Sequence, residues 1–149
     1  MNITEKKQFS RRLIETVWNE GKVEKLDTFL TPNFTYFDPS GPVDLKGIDA
    51  YKKYVLDVRK AFPDFFCKVE DQIAEDDKLV TFLKITATHE GEFFGLPASH
   101  KKATIPMIVI ERFAGEKIAE SYGLWDALTF MRIAGAFEAR EPAFASYRR

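Results

Sequence analysis

A chain of 149 residues with 45% hydrophobic and 30% charged side chains is long enough to bury a core without metal or disulfide staples, so one domain over residues 1–149 is expected. Its 22 Lys and Arg against 23 Asp and Glu exert no general pull on nucleic acid or anionic membranes, which leaves small molecules and further copies of the chain as expected partners. The single cysteine, Cys67, excludes an intrachain disulfide and, beside Phe65 and Phe66, reads as a buried hydrophobe rather than a nucleophile.

The N-terminal stretch Met1 to Lys7 lacks the apolar run of a signal peptide, and no segment reaches the ~18 apolar residues that span a bilayer. A cytoplasmic location is the expectation. Thr4 can cap a first helix beginning at Glu5, with Phe9, Leu13 and Val17 on one face, Ile14 and Trp18 widening it, and Gly21 as its stop. Val23, Leu26, Phe29 and Leu30 mark a second short helix ended by Thr31-Pro32. Phe34 to Phe37 read as a strand and Asp38-Pro39-Ser40-Gly41-Pro42 as a turn. After Gly47, the 3, 4, 3, 4 spacing of Ile48, Tyr51, Val55, Val58 and Phe62 predicts a third helix, stopped at Phe62-Pro63-Asp64.

The pattern then changes to strands: Phe65–Ile73, Leu79–His89, Ala103–Phe113 and Ile118–Asp126. Glu75-Asp76-Asp77 and Ala114-Gly115-Glu116-Lys117 are tight turns between them, and Ala127–Phe137 looks helical. The domain core runs from about 5 to 137, with 138–149, including Pro142 and Arg148-Arg149, a loose or partner-packed tail. Helices first and a meander afterwards predict an α+β fold, with helices on one face of a mostly antiparallel sheet. With 14 Phe, 5 Tyr and 2 Trp, that fold has a thick aromatic core or an aromatic-lined cavity.

In the last strand Glu120, Tyr122, Leu124 and Asp126 share one face. If that face points inward, it carries two carboxylates and a phenol into an apolar space. Glu120 and Asp126 are roughly 20 Å apart at the ~6.8 Å advance per two strand residues, too far to act as a dyad. Asp126, flanked by Trp125, Ala127 and Leu128, is the better candidate for a desolvated general base. It can equally be the N-cap of the following helix, and spacing alone favours the cap. Glu120 reads as an ion-pair partner of Arg112 or Lys117. His89, ending a long strand, can reach a pocket mouth or simply bond a turn; His100 lies in a polar loop. Phe93-Phe94-Gly95-Leu96-Pro97 can form a lid or an oligomer contact. No His-x-His, His-x-x-x-His or Cys-x-x-Cys spacing and no glycine-rich phosphate loop occurs, so neither a metal nor another cofactor is expected.

Thr88-His89-Glu90-Gly91 followed by Phe94-Gly95-Leu96-Pro97, and Gly115-Glu116-Lys117-Ile118-Ala119-Glu120 followed by Trp125-Asp126, resemble motifs of the SnoaL-like polyketide cyclase family. Trp18-Asn19-Glu20-Gly21, Phe62-Pro63-Asp64 and Glu75-Asp76-Asp77 sit where that family has similar residues, whereas Phe37-Asp38-Pro39 departs from its His-x-Pro pattern. The resemblance implies the cone-shaped fold of nuclear transport factor 2 and ketosteroid isomerase: a curved, mostly antiparallel sheet with the N-terminal helices packed on its concave side. It implies a cofactor-independent intramolecular aldol closure of a polyketide ester, with Asp126 as acid/base and His89 or Tyr122 as partner to the substrate oxygen. Phe37, Phe82, Met107, Trp125 and Phe130 would wall the pocket around a hydrophobic, carbonyl-containing molecule. The alternative is a non-catalytic module binding an apolar ligand. Either way a homodimer or homotetramer is expected, because the convex face of a small sheet needs cover.

Overall fold

The computed structural model describes residues 1–137, so the tail expected from Glu138 onward lies outside the described residues. The first helix, α1 (Ile3–Leu13), begins two residues earlier than Thr4 would set it. Asn2 is the cap: its side chain accepts the Glu5 N–H at 2.8 Å, while the Glu5 carboxylate accepts the Asn2 N–H at 2.9 Å. This reciprocal box satisfies two otherwise orphaned donors. The chain then widens into a π-helical segment, Ile14–Asn19, in which the Glu20 N–H reaches back to the Glu15 carbonyl. Nothing in the side-chain spacing announced this widening. Arg59 takes the end of the segment by donating to the Trp18 and Asn19 carbonyls, and the Asn19 amide bonds both the N–H and the carbonyl of Cys67.

A 3₁₀ turn (Val23–Lys25) leads into the short α2 (Leu26–Phe29), and β1 (Leu30–Asp38) starts immediately. Pro32 therefore lies within a strand, at its irregular end, and does not mark the stop of a helix; the β1 register shifts between Leu30 and Thr35. After the Asp38–Pro42 turn comes β2 (Val43–Lys46), then α3 (Ile48–Ala61). The meander is β3 (Phe66–Glu75), β4 (Lys78–Thr88), β5 (Lys102–Ala114) and β6 (Lys117–Trp125), within one or two residues of the pattern-based bounds. The last helix, α4, covers only Ala127–Ile133, because Gly135 turns into the left-handed region at φ +74°.

Among the described residues six strands make one sheet in the order β2-β1-β6-β5-β4-β3, antiparallel throughout except for the β1–β6 pair. Its inner face meets α1, the π segment and α3. One part of the core gathers Leu13, Val17, Phe34, Val55, Leu79 and Ile118; the other gathers Val58, Phe62, Leu83, Ile105 and Phe130 around a space they do not fill. The α+β class and the helix-covered, curved, mostly antiparallel sheet are as the residue pattern predicted. Among the described residues, no helix is long and apolar enough to cross a membrane.

Candidate active site

The unfilled space is a cavity of about 120 Å³ between the sheet and the helices. The sheet supplies Tyr36, Cys67, Thr81, Met107, Glu111 and Ser121; the helical layer supplies Ser10, Ile14, Trp18, Tyr51, Tyr54 and Val58. Phe62, Phe93, Trp125 and Phe130 close one end. Met107, Trp125 and Phe130, expected in an apolar wall, line this cavity.

The polar groups in this apolar space are few and ordered by strand register. Glu111 on β5 lies opposite Ser121 on β6, and Ser121 lies opposite Tyr36 on β1. These three inward side chains form one row, with roughly 10 Å between the end members at the ~4.8 Å spacing of strands. Glu111 is 5% exposed, and its carboxyl accepts the Ser10 hydroxyl at 2.5 Å. Burial pushes the Glu111 pKa up to about 7, against the smaller opposing effect of the Ser10 hydrogen bond. A carboxyl that titrates near neutrality both accepts and returns protons at working pH.

At the other end, the Tyr36 hydroxyl donates to Asp38 at 2.9 Å, and Asp38, fully buried, also accepts the Ser40 N–H at 2.8 Å. Gly123 makes this arrangement possible. A Cβ there would sit 2.6 Å from Met107 Cε, 2.8 Å from Tyr36 Oη and 3.1 Å from Asp38 Oδ2. Tyr51 accepts the Trp18 indole N–H at 3.1 Å, so its own proton remains to be given. Burial raises the pKa of Tyr36, Tyr51 and Tyr54, with Asp38 adding to the rise at Tyr36 and Tyr54 and Glu111 at Tyr51; all three stay protonated donors. Cys67, also in the wall, is pushed up to about 12 by burial and is an inert thiol.

Five sequence-predicted site residues stand elsewhere. Asp126 does not line the cavity: it caps α4, accepting the Thr129 N–H at 3.1 Å and the Thr129 hydroxyl at 2.5 Å. His89 is buried one layer behind the wall, between Phe62 and Phe130 (ring centroids 5.5 and 5.1 Å), with Nδ1 facing the Ser99 hydroxyl at 3.1 Å. Burial lowers its pKa, so the ring is neutral. Tyr122 and Phe37 lie on the opposite face of the sheet, packed against each other at a 47° tilt with ring centroids 5.5 Å apart, and each is 43% exposed. Phe82 shares that outer face, alternating with the cavity residues Thr81 and Leu83. The physical reason is strand parity: Ser121, Gly123 and Trp125 point inward, which sends Glu120, Tyr122 and Leu124 outward. Glu120 there pairs with Arg112 at 2.9 and 3.0 Å, as expected.

The placement of Asp126 has a direct check. Asn caps a helix as well as Asp does, so Asp126→Asn should keep stability within about 0.5 kcal/mol, whereas Asp126→Ala should cost ~1 kcal/mol. Denaturant unfolding measures both.

An open, curved sheet folded over an aromatic-walled cavity with a buried carboxyl and several hydroxyls defines a protein of the cone-shaped α+β class. The family model for the SnoaL-like polyketide cyclases matches residues 9–133, and the chain belongs to that family. The fold resembles that of a candidate SnoaL-like polyketide cyclase from Jannaschia sp. CCS1, at TM-score 0.83 and 23% identity over 91% of this chain and 94% of that one. A candidate polyketide cyclase from Bacillus cereus ATCC 10987 is 28% identical at TM-score 0.73, over 91% of this chain and 83% of that one. AclR, a candidate hydroxylase from Streptomyces galilaeus, is 19% identical at TM-score 0.82, over 99% of this chain and 95% of that one. No curated protein sequence matches the chain.

Proposed function

We propose that the protein is a cofactor-independent enzyme of the cyclase or isomerase type, in which Glu111 moves a proton on a hydrophobic, carbonyl-bearing molecule held in the cavity. The observation that carries this reading is a carboxyl buried in an apolar hollow yet poised to ionise near neutrality. In the ionised form Glu111 takes the proton from carbon α to the carbonyl. The C–H pair moves into the enolate, and a tyrosine hydroxyl, Tyr51 having its proton free, donates to the developing oxyanion. The enolate carbon then attacks a second carbonyl of the same molecule, and the new alkoxide takes the proton back from Glu111. With reprotonation at another carbon instead, the same groups perform an isomerisation. The ring closure of a polyketide ester suggested by the family motifs fits the first course. It requires Glu111 in the role that the family resemblance implies for Asp126.

The test needs no knowledge of the natural substrate. Small neutral ketones and β-keto esters incubated in D₂O with the protein should exchange their α-protons faster than in buffer, followed by proton NMR. Glu111→Gln should lose the acceleration and Asp126→Asn should keep it. The reverse pattern would return the role to Asp126. Binding without exchange would favour an apolar-ligand carrier.

The expected self-association has its support on the outer sheet face, where register joins Phe37 to Tyr122, Tyr122 to Ile110 and Leu124 to Ile108. All five are at least 40% exposed, and together they make a contiguous apolar patch of the kind that partners cover. We propose that a second copy does so. Light scattering should give a mass near twice the chain's 17.1 kDa, and Ile108→Lys should shift it to the single chain. A single-chain mass for the unaltered protein at micromolar concentration would contradict the proposal.

A further inference from the structure

Resting on the reading of the cavity as the ligand site, we infer that its ligand is an uncharged molecule about the size of one substituted aromatic ring, carrying its carbonyl as a ketone, ester or amide and not as a carboxylate. Two independent observations support this, one of charge and one of size.

The described lining offers the hydroxyls of Tyr51 and Tyr54 and the carboxyl of Glu111 within apolar walls, the Tyr36 proton being committed to Asp38, and none of its side chains is Lys, Arg or His. Behind Tyr36 stands a second buried carboxyl, Asp38. Of the cations in the helical layer, Arg59 is committed to the backbone carbonyls of Trp18 and Asn19 and Arg11 to the Gln72 side chain. An anion entering this space would lose its water, meet no positive charge and face Glu111. Burying an unpaired carboxylate is among the most unfavourable transfers in a protein interior. A neutral carbonyl meets the opposite situation, since hydroxyl donors are what its oxygen requires.

The volume sets the size. A space of about 120 Å³ is on the scale of the ~150 Å³ engineered apolar cavity that takes benzene. The rings that bound it are packed on other rings and not on empty space: Phe130 lies 5.5 Å from Phe93 and 5.8 Å from Phe62, and Phe93 stacks on Phe94 at 4.2 Å. Seating a fused multi-ring molecule wholly within these walls would require several of them to move together.

The two tryptophans of the chain, Trp18 and Trp125, both line the cavity, so their fluorescence reports its occupancy. Calorimetry on the full chain at pH 8 with methyl benzoate, benzamide, benzoate and anthracene-2-carboxamide separates charge from size. Methyl benzoate and benzamide should bind and perturb the tryptophan emission. Benzoate should bind at least ~100-fold more weakly than its neutral near-isostere benzamide. Its apparent affinity should rise about tenfold per pH unit between pH 8 and 6 as its neutral form becomes available. The titratable wall groups, Glu111, Cys67, Tyr36, Tyr51 and Tyr54, meet benzamide and neutral benzoic acid alike, so benzamide corrects for their response to pH toward an uncharged ligand. Benzoate binding within about threefold of benzamide overturns the charge selection, and anthracene-2-carboxamide binding as tightly as benzamide overturns the size limit. If no neutral probe binds, the cavity is not a ligand site and the inference falls with that reading. If the neutral probes bind and α-proton exchange is absent, the catalytic reading fails while this inference stands.

Discussion

Glu111→Gln should abolish proton exchange on a bound carbonyl compound and, at pH 8, should leave the protein more stable than the wild type. Both effects follow from the same burial. A general base contributes ~10²–10⁴-fold to rate, and glutamine cannot take the proton, so the loss should fall in that range. The wild-type kcat/KM should rise with pH through a midpoint near 7, where Glu111 ionises, and then level off. For stability, Glu111 is held up from 4.5 to about 7 in the folded protein, so between those values the folded state binds more protons than the unfolded. Its contribution is therefore fully present below pH 4.5 and is lost as pH rises through about 7. At ~1.4 kcal/mol per pH unit this difference amounts to about 3 kcal/mol. Glutamine keeps an acceptor for the Ser10 hydroxyl and carries no charge to bury. Denaturant unfolding should therefore show the variant level with wild type at pH 4 and up to about 3 kcal/mol more stable at pH 8. Equal stability at both pH values would mean that Glu111 is not desolvated.

Phe130→Ala should cost ~3–5 kcal/mol, the range for removing a buried phenylalanine. Phe130 is 1% exposed and is the point where α4 meets Phe62, His89, Phe93 and Trp125, with ring centroids 5.1 to 6.1 Å away. A seven-residue helix has little stability of its own, so α4 depends on this anchor, and with it one end wall of the cavity. The variant should unfold at correspondingly lower denaturant and should fail to bind neutral aromatic probes. A loss below about 1 kcal/mol would show that the ring cluster re-forms without it.

The sequence was most legible where periodicity is long. The face Ile48, Tyr51, Val55 and Val58 marked α3 within a residue or two, and the four meander strands followed from β-rich runs separated by turn chemistry. Short or irregular pieces were not legible. The four-residue β2 has no alternation long enough to read, and the π segment differs from an α-helix by one added residue in its hydrogen-bond ring, which spacing does not register.

The site was legible in part, and the placement of Asp126 and Tyr122 turned on strand parity. Reading Asp126 as the cavity carboxyl required Glu120, Tyr122 and Leu124 to face inward. Yet the ion pair expected between Arg112 and Glu120, and found at 2.9 Å, requires both to face solvent. That pairing alone sends residues 111, 121, 123 and 125 to the inside, which would have exposed Glu111 as the buried carboxyl and Gly123 as the gap beside it. Tyr51 and Tyr54 could not be separated from ordinary aromatic core by pattern. Asp38, in turn chemistry before Pro39, gave no sign that its carboxyl turns inward to Tyr36.

The most direct measurement is the carbon-13 chemical shift of the Glu111 side-chain carboxyl, labelled in the folded protein and followed against pH. A midpoint near 7, rising in Ser10→Ala and falling when a neutral hydrogen-bond donor occupies the cavity, is the result expected of a dry carboxyl within reach of ligand. A midpoint near 4.5, unmoved by any cavity ligand, would place that carboxyl in contact with water and contradict its role as the base.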